Sequence, residues 1–158
     1  MKIAIKYPLF LLLFSLFTAF SFAQDKVIIT KGPKFKPPVV KTSLGVNQNG
    51  ALVTVDEGRQ LVGLPLKIVD NKGNEYAIDS YQFLYRQKSY IQDDETGKKE
   101  VSYTITADRF NTTPLPKVWI DNIKDRLQKD EQLYFFDIVV KDKLGRIFFA
   151  PELKITIK

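Results

Sequence analysis

The chain has 158 residues, with 24 Lys plus Arg, 18 Asp plus Glu, no Cys and no His. Without histidine or cysteine, Ser-His-Asp and Cys-His nucleophilic sites and the usual zinc ligand sets are excluded; paired carboxylates, Lys or Tyr chemistry and oxygen-ligated metals remain. No disulfide can staple the fold, so the core must come from packing alone, for which the chain's aromatic side chains are suitable material.

Residues 1–23, MKIAIKYPLFLLLFSLFTAFSFA, read as a secretory signal peptide. Lys2 and Lys6 precede an apolar run from Pro8 to Phe20, and Ser21 and Ala23 are the small residues a signal peptidase reads. The run is shorter than the roughly 20 residues of a bilayer span, and no Cys follows it to carry a lipid. Cleavage is expected between Ala23 and Gln24, which places the mature chain in the periplasm or outside the cell, without a membrane span. Export also sets nucleic acid aside as a partner. The 135 residues left suit one domain on a prior of roughly 100–200 residues each. With 22 Lys plus Arg against 18 Asp plus Glu, they carry a net charge of +4, which is mild and serves solubility as readily as an anionic partner.

Residues 24–41 form a Lys/Pro-rich arm. Its segment KGPKFKPPVVK (31–41) has three prolines and four lysines, a composition that favours an extended, polyproline-like chain over a packed element. A single compact domain is therefore expected from Thr42 to Lys158.

Within it, ALVTV (51–55) alternates as a strand, PLKIVD (65–70) is a second run, and the Gly-containing turn NKGN (71–74) hands over to EYAIDSYQFLYRQ. Side chains alternate along a strand, so Tyr81, Phe83 and Tyr85 share one face. Tyr76 and Ile78 have the opposite parity, which a bulge near Ser80 would reconcile. Three aromatics on one face suit a sheet core, or a stacking platform for sugar or peptide. QDDETGKKE (92–100) has the polarity of an exposed loop. Its Asp93, Asp94 and Glu95 lack the spacing around a Gly that calcium loops use. VSYTITAD (101–108) resumes alternation, with Val101, Tyr103, Ile105 and Ala107 on one face.

The next stretch changes period. Pro116 suits a first helical turn, and Trp119, Ile123 and Leu127 follow at steps of four, predicting a helix of about 12 residues that lays Trp119 on the sheet. QLYFFDIVVK (132–141), the turn DKLGR, IFFAP and ELKITIK complete the chain, with Leu153, Ile155 and Ile157 facing one way. KIVDNKGNEYAI (67–78) and IVVKDKLGRIFF (138–149) repeat one hairpin chemistry, an Asp followed three residues later by a Gly. The sum is an all-β fold with one inserted helix, an antiparallel β-sandwich of immunoglobulin-like kind.

Asp137 stands inside the apolar run LYFFDIVV. Alternation puts Leu133, Phe135, Asp137 and Val139 on one face and the unbroken apolar set Tyr134, Phe136, Ile138 and Val140 on the other, which predicts the second set as core and Asp137 as an outward, register-setting residue. A glycosidase-like pair would need Asp137 about 5–10 Å from a second acid such as Asp79 or Asp108 in a cleft.

The residues YAIDSYQFLY (76–85), the helix KVWIDNIKDRLQ (117–128), and QLYFFDIVVKDKLGR with ELKITIK resemble, in order and kind, the C-terminal periplasmic domain of GldM, the gliding-motility and type IX secretion motor protein of Bacteroidetes. The family pattern runs from a helix through a turn into a strand of the type v-y-F-x-D-I-x-v, then a Gly turn and a closing l-x-I-x-I. The likeness covers about two-thirds of the chain, from near Gly50 to Lys158, and contains no catalytic signature. The family's N-terminal span and helical stalk have no counterpart here: the apolar run carries no acid or base for a proton relay. Asp130 and Glu131 stand where the family often has Gly-Asp. The resemblance implies a periplasmic protein-binding fold.

The expected function is therefore a non-enzymatic, exported protein-binding domain of the cell envelope, associated through the resemblance with type IX secretion or gliding machinery. The alternative is a carbohydrate-binding module stacking sugar on Tyr81, Phe83, Tyr85 or Tyr90. Residues assigned to partner contact are Lys34, Lys36 and Lys41 of the arm, with Tyr85 and Tyr90; no catalytic residue, cofactor or metal is assigned.

Overall fold

A computed structural model describes residues 35–158, about half of them in strands. The signal segment, its cleavage pair Ala23 and Gln24, and Lys34 lie outside the described residues. In chain order the elements are β1 (Val40–Leu44), β2 (Ala51–Val53), α1 (Val55–Leu61), β3 (Leu66–Asp70), β4 (Ala77–Gln92), β5 (Lys99–Phe110), α2 (Lys117–Arg126), β6 (Gln132–Lys141), β7 (Ile147–Ala150) and β8 (Leu153–Ile157). β1 and β3 make a small antiparallel sheet; the large sheet runs β2-β8-β6-β4-β5, with β7 also paired to β6.

Five expectations need correction. The body starts at Val40, two residues before Thr42: Val40 is buried in β1 and Lys41 is already paired with Val69. ALVTV stops being a strand at Val53, because Thr54 caps a second helix that the strand reading overlooked. The Thr54 hydroxyl accepts from the Glu57 N–H while the Glu57 carboxylate accepts from the Thr54 N–H at 2.7 Å, a capping box written in the sequence as TVDE. The sheet is not purely antiparallel either, since β2 runs parallel to β8.

The fourth correction concerns β6. Its buried residues are Leu133, Phe135, Ile138 and Val140, two from each predicted face. The parity switches at Asp137, whose backbone has φ 47°. Opposite β4, Phe136 pairs with Gln82 and Val139 with Ser80, so β6 holds one residue more than β4 in that interval. A bulge is the consequence, and Asp tolerates its left-handed backbone better than a bulky residue would. The register shifts again between Ile78 and Ser80, where the opposite parity of Tyr76 and Ile78 predicted a bulge. Asp137 is exposed, as expected, and accepts a hydrogen bond from Gln82 Nε2 at 2.7 Å.

The inner face of the large sheet carries the core: Tyr81, Phe83 and Tyr85 of β4, Leu133 and Phe135 of β6, and Leu153, Ile155 and Ile157 of β8 are all buried. α2 covers part of it through Trp119, whose indole meets Phe83 and Phe110 edge-on at ring-centre distances of 5.7 and 5.5 Å. α1 fits beside it because residue 58 is glycine: a Cβ there would lie 2.7 Å from both Ile157 Cδ1 and Leu127 Cδ2. The Thr42 hydroxyl donates to the Pro151 carbonyl and ties the small sheet to the β7–β8 corner.

The two look-alike turns share their local chemistry and differ in topology. In each, the Asp carboxylate accepts from backbone N–H groups two and four residues on, at 2.8 and 2.9 Å for both Asp70 and Asp142. The second turn closes the β6–β7 hairpin. After the first, the chain makes only a single bridge, Val69 to Glu75, and then crosses from the small sheet to the large one, so 67–78 is not a ladder hairpin.

Asp70 also accepts from Asn74 Nδ2 at 2.9 Å and from the Tyr76 hydroxyl at 3.1 Å. The Asn74 side-chain bond leads the set of donors that hold its carboxyl at about 2, below the ordinary 3.8. A depressed folded value gives stability that is full above about pH 4 and disappears as pH falls through 2. Urea midpoints should therefore show Asp70→Asn less stable than wild type at pH 7, with the gap narrowing by pH 2; an equal gap at both pH values would contradict this role.

Candidate functional site

β4 organises the surface features. It is 16 residues long, but its pairing with β6 ends at Arg86 opposite Gln132. Beyond that point, Gln87–Gln92 pair only with Lys99–Thr104 of β5, so this part of the β4–β5 hairpin stands out as a two-stranded arm. Asp93 closes its tip by accepting from the N–H groups of Glu95 and Thr96 and from the Thr96 hydroxyl. The Asp-rich loop thus spends this carboxylate on turn geometry.

The base of the arm is held by a buried acid. Glu131 has no exposed surface, yet its carboxylate accepts from the Tyr85 hydroxyl, from the Lys88 N–H at 2.8 Å and from the Gln128 N–H at 3.0 Å. Three donors offset the cost of desolvating the acid. Burial, then the bond to Glu131, pushes the Tyr85 hydroxyl well above the ordinary tyrosine value, so it stays protonated and donating. Next to it, Lys88 Nζ meets Asp130 Oδ2 at 2.8 Å, and Asp130 takes a left-handed φ of 72°.

The outer face of the large sheet is open. Leu52, Leu84, Tyr90, Val101, Ile105, Tyr134 and Phe136 all point to it and none is buried. Tyr134 and Phe136 stack at 4.9 Å with their planes 13° apart. Arg86 lies 3.4 Å from the centre of the Tyr103 ring and Lys154 Nζ 4.9 Å from that of Tyr134, giving the face cations seated on rings. β5 is the terminal strand of this sheet, and along its 12 residues it has a partner on one side only among the described strands. It contains no Pro, and its charged residues, Lys99, Glu100, Asp108 and Arg109, stand towards its two ends, leaving 101–107 as an uncharged middle.

On the inner side, where the core runs out beyond Tyr85, α2 overhangs the strands and leaves a cleft of about 240 Å³. Its helix wall is Val118, Asn122 and Arg126 at steps of four, adjoining the packed stripe of Trp119 and Ile123. Its strand wall is Tyr85 and Gln87 of β4 with Thr106 of β5, which sits opposite Tyr85.

The residues assigned to partner contact do not form one surface. Lys36 and Lys41 are exposed, the latter on the small sheet; Tyr90 is 57% exposed on the large one. Tyr85 is only 3% exposed and its hydroxyl is given to Glu131, which corrects its assignment as a contact residue. Tyr81 and Phe83 are likewise buried, so these rings offer no sugar-stacking platform: they face the core because their face of β4 lies under α2. Among the acids, Asp79 is paired with Lys141 and Asp137 with Gln82, and neither these nor Asp108 line the cleft beside α2. Sequence reading assigns no role to Arg126 and gives Glu131 only a place in a turn, not in a buried network. The available signal was the 118/122/126 stripe running beside the apolar 119/123/127 stripe. No family model, curated protein or solved structure matches the chain.

Proposed function

We propose that this chain is an exported, non-enzymatic protein-binding domain of the cell envelope, built as a β-sandwich of immunoglobulin-like kind. Its recognition surface is the free edge of β5 with the open face beside it, and its partner adds an extended segment to that edge. The observation that carries this reading is the unpartnered edge of β5, which from 101 to 107 holds no charge and no Pro and presents Val101 and Ile105, the latter 61% exposed. Such an edge presents unpaired N–H and C=O groups to which another chain can add a strand, while neighbouring side chains supply selectivity. The small β1–β3 sheet beside the large one supports the sandwich reading. The absence of His and Cys supports a non-enzymatic role. The signal-like N-terminus supports export, and the resemblance to the GldM C-terminal domain is the ground for naming a secretion or gliding component as the partner class.

The test is capture from envelope extracts on the immobilised chain, run alongside Ile105→Lys, which places a charge beside the edge without touching the core. The expected result is an envelope protein retained by wild type and lost or reduced at least about tenfold, about 1.4 kcal/mol, by the variant. No envelope protein above background, or equal capture by both, sinks the reading.

A further inference from the structure

The cleft between α2 and the β4–β5 strands lies on the inner side of the sheet, away from the surface proposed above, and it has a chemistry of its own. Its apolar wall is Trp119, Val118 and Ile123, and its polar groups are Gln87, Thr106, Asn122 and Arg126. No carboxylate lines it, and among the described residues no ion pair engages Arg126. Glu131, the buried acid nearest in the network, is not part of the lining, and three donors already engage its oxygens. The Tyr85 hydroxyl is likewise committed, so Tyr85 serves the cleft as wall.

We propose that this cleft binds a small carboxylate carrying an apolar body, about the size of one aromatic amino acid. The volume of about 240 Å³ lies below the roughly 300–1,000 Å³ of drug-sized pockets and suits a single residue. Arg126 supplies the planar fork that grips a carboxylate through two parallel N–H donors. Asn122, one helical turn before it, and Thr106 across the cleft supply neutral donors. Trp119 and Val118 take the apolar body, with Val118, 71% exposed, at the mouth. A free acid and the C-terminus of a peptide share this chemistry.

Trp119 is the single tryptophan of the chain, so its fluorescence reports occupancy of the cleft directly. The full chain is titrated with N-acetylphenylalanine, with its carboxamide, and with a short phenylalanine-ended peptide bearing a free or an amidated C-terminus. The acid should shift Trp119 emission saturably, and the amide should bind at least about tenfold more weakly. Arg126→Gln should weaken the acid by about tenfold or more and leave the amide unchanged, while Arg126→Lys keeps part of the preference. A free-ended peptide binding more tightly than the single residue supports the site and assigns it to a chain terminus; equal affinity supports the site and assigns it to a free acid. No saturable change in wild type, or equal affinity for acid and amide, overturns the proposal. Both outcomes are read on the unmutated chain and do not depend on whether β5 captures a partner.

Discussion

Glu131→Ala is expected to cost about 3–5 kcal/mol, the sum for three stranded neutral donors less what entering water recovers. The carboxylate is fully buried, and its loss leaves the Tyr85 hydroxyl and the Lys88 and Gln128 N–H groups without an acceptor in an apolar surrounding. Each stranded donor costs about 1–3 kcal/mol, reduced wherever water can enter the space left behind. Glu131→Gln should fall between Ala and wild type, because one oxygen can still accept while the amide NH₂ faces a donor. Urea denaturation measures the loss, and an Ala variant within about 1 kcal/mol of wild type would rule out the network as a structural tie. The effect reaches the surface: Lys88 lies just past the last β4–β6 pair, so amides in Gln87–Gln92 should lose hydrogen-exchange protection first.

The second large effect separates two adjacent phenylalanines. Phe135→Ala should cost about 3–5 kcal/mol and Phe136→Ala no more than about 1. Phe135 is 2% exposed and packs against Phe83 at a ring-centre distance of 4.8 Å and Tyr81 at 5.8 Å. Phe136 sits half-buried on the open face, against Tyr134. Uninterrupted alternation predicts the reverse order, since it groups Phe136 with Ile138 and Val140 in the core. Denaturant midpoints of the two variants therefore test the Asp137 bulge directly. A larger loss for Phe136→Ala would mean that β6 runs without it.

These two residues also show how far local reading goes. Alternation was sufficient for β4 from Tyr81 to Tyr85 and for β8, because an uninterrupted strand buries every second side chain once one face is covered. It failed in β6, where one extra residue transfers the core from one parity to the other. Asp137 was recognised as outward and as register-setting. Its positive φ arises only in pairing with β4, whose own irregularity at Asp79 takes up the slack. The helix α1 was legible in TVDE, but ALVTV reads as a strand with equal ease, and the capping box prevailed because Gly58 lets the helix approach Leu127 and Ile157.

The proposed sites divide in the same way. Free cysteine and histidine chemistry is excluded by composition, and the exposed loop at 92–100 and the amphipathic α2 follow from polarity and period. The Glu131 network and the cleft beneath Arg126 join residues dozens of positions apart, such as Tyr85 with Glu131 and Gln87 with Arg126, and the free edge of β5 likewise depends on the order of distant strands. Local propensity and patterning act over a few residues, so the sequence by itself determined the elements, their turns and most of the buried face. Which strand was left at the edge, and where α2 overhangs the sheet, were decided by strand order and register, because those depend on pairing across the whole chain.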